Sequence, residues 1–449
     1  MIQYKTTYHT SFCLDIWKCV IHLKRTKRKI SIHKKQEKKM SIVKRIRINE
    51  YDNTDNGILL SKAFKLVENF ELKEDLINQF NIDLSKDIFL NIKGAKTLVE
   101  AILNLENRVD KFDIDTDVKN IHINKFSKKN QIEVEVFDIT DPKILQNYQS
   151  DRISAISAYS VRNDLLDGLY KADKFFSNLN RIEFDDLIQL NIEKLEELNK
   201  NSSETRKLRY VEGEDEKLYL RAITSTNVYK DYNIAFSVFI TLYQLNSLKS
   251  YGHSFEVEHF SFDESEISVI FREVNNDKKI SDEVFLSFAI ELTNSEIKSK
   301  AVKLNGNFII QTKDYSVYTK NDIKTTILSI GHGNTIKKAK EYIKLLPENI
   351  NEYIAESIEN YMNIGKLKKF NDIQTYLSNR LQKSNSPEVK KYNKEFQNTL
   401  KGSIKSLVEL LEKIDKLENL IKDEDIKATE FLREKIYQSI ISKGNNTDI

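Results

Sequence analysis

Residues 206–330 constrain this chain most, because apolar and polar residues alternate there in one short run after another. Lys207–Val211 and Leu218–Ile223 flank an acidic turn, Glu212–Glu216, and an apolar stretch, Ile234–Leu248, has helical spacing. Alternating runs follow at Ser254–Phe260, Glu266–Arg272, Val284–Leu292, Ala301–Gln311 and Thr325–Ile330. Alternation places every second side chain on one face of a strand. Several short strands around one helix predict a substantial antiparallel or mixed sheet.

The flanking regions read differently. Before residue 140, Ser61–Asn69 and Ala95–Val109 have helical spacing, with Leu98, Ala101, Ile102 and Leu105 on one face. Ile121 and Ile123 pair with Ile132, Val134 and Val136 across Ser-Lys-Lys-Asn, the pattern of a β-hairpin. Asp141-Pro142 marks a turn, and residues 150–200 read as helical, with Leu187, Leu190, Ile192, Leu195 and Leu198 spaced along the last helix. From Asn334 onward the pattern is helical, with Pro387 between two helices. Leu407, Leu410, Ile414, Leu417 and Ile421 form a short coiled-coil-like seam, which suits an intramolecular helical hairpin or an oligomer. The expected fold class is α+β: an antiparallel or mixed sheet domain with helices, then a helical C-terminal region. The expected boundaries are residues 40–145 for a small α+β domain, 150–346 for the central sheet domain and 347–449 for the helical region.

Residues 1–39 stand apart. They hold 11 Lys/Arg against 2 Asp/Glu, together with Cys13, Cys19 and the lone Trp17, while the rest of the chain holds 60 Lys/Arg against 66 Asp/Glu. The run Lys24-Arg25-Thr26-Lys27-Arg28-Lys29 could be a basic nucleic-acid arm. The other reading rests on Lys-Gln-Glu-Lys-Lys-Met at residues 35–40. Codons for Gln36 and Glu37 can spell a ribosome-binding sequence, so translation would begin at Met40. Residues 1–39 are then expected to lie outside the fold as a non-native or disordered extension. The remaining cysteine-free chain fits a reducing cytoplasm and forms no disulfides. Ser11–Leu23 is too short and too charged to span a bilayer, which needs about 20 apolar residues.

Residues 218–346 carry a resemblance. Leu220-Arg221-Ala222-Ile223-Thr224-Ser225 precedes Val228-Tyr229-Lys230-Asp231-Tyr232-Asn233, and Leu292-Thr293-Asn294-Ser295-Glu296 and Ile330-Gly331-His332-Gly333-Asn334 come later. This order resembles a phage/plasmid-like protein family of unknown function. Ile297 stands where that family often has glycine, and Gln311-Thr312-Lys313-Asp314 stands in place of a Cys-x-Asn-Gly segment. The resemblance implies a mobile genetic element, phage or plasmid, and no particular reaction.

Three groups of residues are candidates for binding. His332 lies between two glycines, before Asn334 and Thr335, either of which can cap a helix. Free amides at a helix start, with an imidazole, can hold a phosphate; the alternative is an ordinary turn. Arg206, Lys207, Arg209 and Arg221, with Tyr210 and Tyr219, can form a cationic strip for a phosphate backbone with stacked bases. The alternative is a solvated hairpin whose charge Glu212–Glu216 cancels. Asn294 and Ser295 read as a turn or cap in the resemblance segment. His253 and His259 alternate with Glu256 and Glu258 on opposite strand faces, so no metal set is expected, and no cofactor motif is present. The expected function is non-enzymatic: a cytoplasmic phage- or plasmid-derived protein acting on DNA, RNA or a nucleic-acid-handling partner. The alternative is an assembly protein that docks on a phage or host protein through its C-terminal helices. No membrane partner is expected.

Overall fold

The computed structural model describes residues 42–48, 54–126, 131–181, 184–298, 300–320, 325–421 and 426–442. The extension at residues 1–39 and the hairpin connection at residues 127–130 lie outside them. The fold is α+β, built around two large sheets.

Strand β1 is Ile46–Ile48, and β2 (Ile58–Leu59) and β3 (Phe89–Leu90) pair with each other. The six-stranded sheet contains β4 (Lys111–Asp117), β5 (Ile121–Phe126), β6 (Ile132–Val136), β7 (Ile153–Ser157), β8 (Thr205–Glu212) and β9 (Leu218–Ser225). Its order is β4-β8-β9-β7-β6-β5, antiparallel except for the parallel pair β7–β9. The eight-stranded sheet joins β1 to β10 (Phe255–Phe262), β11 (Glu266–Glu273), β12 (Lys278–Lys279), β13 (Phe285–Ser295), β14 (Val302–Gln311), β15 (Ser316–Tyr318) and β16 (Thr326–Ile330), all antiparallel.

The main helices are α1 (Ala95–Arg108), α2 (Asp173–Arg181), α3 (Asp185–Asn199), α4 (Ile234–Ser247), α5 (Ile336–Lys344), α6 (Leu346–Met362), α7 (Phe370–Gln382), α8 (Pro387–Lys390), α9 (Asn393–Thr399), α10 (Leu407–Leu420) and α11 (Ile426–Tyr437). Helix α4 is apolar on every side and buried along most of its length, as a helix enclosed by other elements must be. Its Phe236 stacks on Phe70 at 4.8 Å and its Phe239 meets Phe64 edge-on at 5.6 Å. A second core, with Ile123, Val134, Leu208 and Leu220 from the six-stranded sheet, is closed by Phe176 of α2 and by Ile188 and Ile192 of α3.

The expected boundaries run through this architecture. Strands β4, β5 and β6, assigned by pattern to a small first domain, share a sheet with β7, β8 and β9. Residues 153–157 form a strand where a helix was expected, because β7 fills the place between β6 and β9. The C-terminal helices are not set apart either. Arg433 of α11 is buried, and its guanidinium meets Glu418 of α10 at 2.5 Å and His259 of β10 at 3.0 Å. Helix α6 lies against β14, where Gly306 faces the Tyr353 ring; a Cβ there would come within 2.5 Å of a ring carbon. Gly306→Val is expected to destabilise the chain by about 1–3 kcal/mol through overpacking, read as a lower urea midpoint at unchanged slope. Residues Ile42–Ile449 form one compact unit, and none of the described helices is long and apolar enough to cross a membrane.

Candidate functional site

The expected cationic strip is split by burial. Arg206 is half-buried near the start of β8 and pairs with Glu204, and Lys207 is half-buried on the same strand. Arg209 and Arg221 are each only 2% exposed. Alternation along β8 and β9 explains this: Val211 and Tyr219 face the larger core while Tyr210 and Leu220 face the second, so Arg209 and Arg221 turn to the same side as Val211 and Tyr219, with Arg221 the extra residue of a bulge.

Glu296 meets them there. Its carboxylate accepts from Arg221 at 2.6 Å and from the Ile234 amide at 3.0 Å, and the Lys111 ammonium lies 3.5 Å away. The Ile234 amide opens α4, where a helix favours negative charge. Arg221 also donates to the Glu264 carbonyl at 2.9 Å. Arg209 donates to Asp113 at 3.2 Å, to Asp231 at 2.6 Å and to the Glu296 carbonyl at 3.0 Å. Burial opposes ionisation of Glu296, but Lys111, Arg221 and Arg209 together hold its carboxyl well below the usual range. Burial likewise works against the charge of Arg209, and Asp231 and Asp113 overcome it.

The resemblance residues support this joint. Asn294 donates to the Tyr232 carbonyl at 2.7 Å and the Asn233 carbonyl at 3.1 Å, and Asn233 caps α4 by accepting from Phe236 at 2.8 Å. Ser295 is buried and its hydroxyl accepts from the Ile297 amide at 3.3 Å; Asn294 and Ser295 are the last paired residues of β13 rather than the expected turn or cap. His332 is buried too, stacked on Tyr229 at 4.6 Å, with its ring nitrogens 3.1 Å and 3.2 Å from the Lys230 and Lys300 carbonyls. Burial lowers its pKa, and the two carbonyls only partly offset that. The Asn334 carbonyl accepts from Tyr232 at 2.6 Å, while Thr335, not Asn334, caps α5. Arg209, Arg221, Asn294, Ser295 and His332 thus come together, but inside the molecule, with Asn334 half-buried beside them. A buried cation already matched to carboxylates offers a phosphate nothing.

The β10–β11 turn adjoins this joint. Asp263 accepts from the Ser265 and Glu266 amides at 3.0 Å and 2.9 Å and pairs with Arg45. Burial, against the pull of Arg45, raises its pKa to about 6. The native chain then keeps a proton that the unfolded chain has lost, so this contribution to stability is full below about pH 4 and disappears as pH rises through 6. A carboxylate-detected NMR titration is expected to show one aspartate titrating near pH 6, missing in Asp263→Asn.

Residues 253–259 depart from the simple alternation expected of them. A bulge in β10 between Val257 and His259 overrides simple alternation. Glu256 and Glu258 both bind Arg272, while His259 packs with Arg433 and His253 pairs with Glu273 at 2.7 Å. Among the described residues no cluster of metal-ligating side chains forms.

The exposed cations lie elsewhere. Residues 363–406 carry 10 Lys/Arg against 3 Asp/Glu, and all ten cations are exposed. Helices α7 and α9 run antiparallel. Gln397 donates to the Ser378 carbonyl at 3.2 Å, Gln374 donates to the Gly402 carbonyl at 2.9 Å, and Asn371 accepts from the Ile404 amide at 2.8 Å. This places Lys366, Lys368, Lys369, Lys401 and Lys405 at one end of the pair. Arg380, Lys383, Lys390, Lys391 and Lys394 gather at the other. Arg380 lies 5.0 Å over the half-buried Tyr376 ring, and Lys391 5.3 Å from the Tyr392 ring. Inside, Leu377, Leu381, Val389 and Phe396 fix the lobe. The sequence signal was a regional charge count, which the stronger imbalance of residues 1–39 masked.

No family model, curated protein or solved structure matches this chain.

Proposed function

We propose that this protein binds nucleic acid through the α7–α9 lobe, in the phage or plasmid setting that the resemblance implies. The observation that carries the reading is the charge contrast. Outside the lobe, residues 40–449 hold 50 Lys/Arg against 63 Asp/Glu, so the ten exposed cations form a basic island on an acidic body. Such a body repels polyanions everywhere else, which orients the encounter. The 13 residues of α7 span about 20 Å, a length along which one duplex strand carries about six phosphates. Nine of the ten cations are lysines. Lysine acts as a point charge without the planar fork that reads base edges, so recognition is of backbone and not of sequence. Tyr376 and Tyr392 supply partly open rings on which an unpaired base can stack.

Docking through the C-terminal seam fits less well. Leu410, Ile414, Leu417 and Ile421 are buried within the chain itself. The test is fluorescence anisotropy with labelled single- and double-stranded DNA of mixed sequence over a series of salt concentrations. Binding whose affinity falls steeply with salt, at similar strength for unrelated sequences, is expected; binding indifferent to salt contradicts the reading.

A further inference from the structure

We infer that two copies of this chain associate through the outer face of α3, packed antiparallel about a twofold axis.

Helix α3 carries two apolar stripes. Ile188 and Ile192 are buried and Leu195 half-buried against the six-stranded sheet. At about 100° per residue, Leu187, Leu190 and Leu198 fall on a separate stripe. They are 44%, 61% and 75% exposed. Phe184, just before the helix, and Phe175 of α2 are also about half exposed. Single exposed leucines are ordinary, but three on one stripe of one helix make an apolar face of the kind that marks an interface.

Charge decides what covers it. Asp186 and Lys200, both exposed, lie on the same flank of the stripe at opposite ends of the helix. Their separation is about 21 Å along the axis. In an antiparallel pair, a flank meets the same flank of the other copy in reverse order. Centred near residue 193, such a pair sets Leu187 against the second copy's Leu198 and Asp186 against its Lys200, and symmetry makes each contact twice. Lys194 lies within the stripe, paired with Glu197 at 2.5 Å, and its stem covers apolar surface while its charge stays wet. Glu193 is the adverse residue at the axis: it falls beside the twofold, facing itself, while Glu197 on the same flank is held by Lys194. That repulsion keeps the association weak and gives the arrangement a signature.

Sedimentation of the full chain up to about 100 µM, where a weak pair with micromolar Kd is populated, tests this. A concentration-dependent monomer–dimer equilibrium is expected. Leu190→Asp with Leu198→Asp should leave a monomer of unchanged circular dichroism and Tm. Glu193→Gln should tighten the dimer several-fold. Lys200→Asp should loosen it, and adding Asp186→Lys should restore it. A wild-type chain and a Glu193→Gln chain that both stay monomeric, whether the face is bare or suited to a different helical protein, overturn the proposal. So does a dimer that survives the two leucine substitutions.

Discussion

Replacing Glu296 by alanine is expected to destabilise the chain by about 3–5 kcal/mol, the usual effect of stripping one partner from a buried ion cluster. The loss comes less from the vanished attraction than from what remains. Arg221 stays in the interior without its carboxylate, Lys111 keeps only Glu106, and the first amide of α4 loses its acceptor. A fully buried cation that cannot reach water must either draw solvent into the joint or part the sheets. Glu296→Gln keeps the shape and an acceptor oxygen but not the charge, so a smaller loss is expected. It also separates charge from packing through pH. The Glu296 carboxyl is held low in the native state, so its contribution is full above the unfolded pKa near 4.5 and declines progressively as pH falls from there towards the much lower native value. Urea denaturation from pH 7 to pH 3 should show the wild-type chain beginning to lose that stability below about pH 4.5, and the Glu296→Gln variant lacking that component.

The second large effect concerns binding. Reversing four lobe lysines, Lys368→Glu, Lys369→Glu, Lys390→Glu and Lys394→Glu, is expected to weaken DNA binding by about a hundred-fold or more at low salt. Each of the four is exposed. Surface changes of this kind usually alter stability by less than about 0.5 kcal/mol each, so the folded lobe should survive, with Leu377, Leu381 and Phe396 still packed beneath it. Neutralising the basic run at residues 24–29 in the same background measures any share that segment has in binding.

Much of the fold was legible because it rests on periodicity. The alternating runs at 254–260, 266–272, 284–292 and 301–311 fall in adjacent strands of one sheet, and the apolar stretch from Ile234 is a buried helix. Strand β7 was not legible, because Ile153–Ser157 is short and its place depends on a parallel partner more than sixty residues away. Long-range pairing of that kind also hid the true first sheet, whose β4 is completed only by β8.

The candidate site was legible as a list and not as an environment. Arg209, Arg221, Asn294 and His332 do converge, but two features of the chain turn them inward. The face that Arg209 and Arg221 share is covered by residues 264 and 296 of the other sheet's turns, a long-range contact that no local pattern shows, and Glu296, the carboxylate that matches the arginines, looked like one acid among many. Burial is a property of the whole fold, and a cationic strip and a buried ion cluster have the same residue types. The basic lobe required the opposite step: its lysines have no motif, and only their shared exposure at the two ends of an antiparallel helix pair makes them a surface.

The most direct measurement is the slope of log affinity against log salt for DNA binding, taken for the wild-type chain and for the four-lysine variant. A wild-type slope of about −3 to −5, falling in magnitude by about 3 in the variant while circular dichroism and Tm hold steady, is the predicted result. Equal slopes and affinities for the two proteins would contradict the assignment of nucleic-acid binding to the α7–α9 lobe.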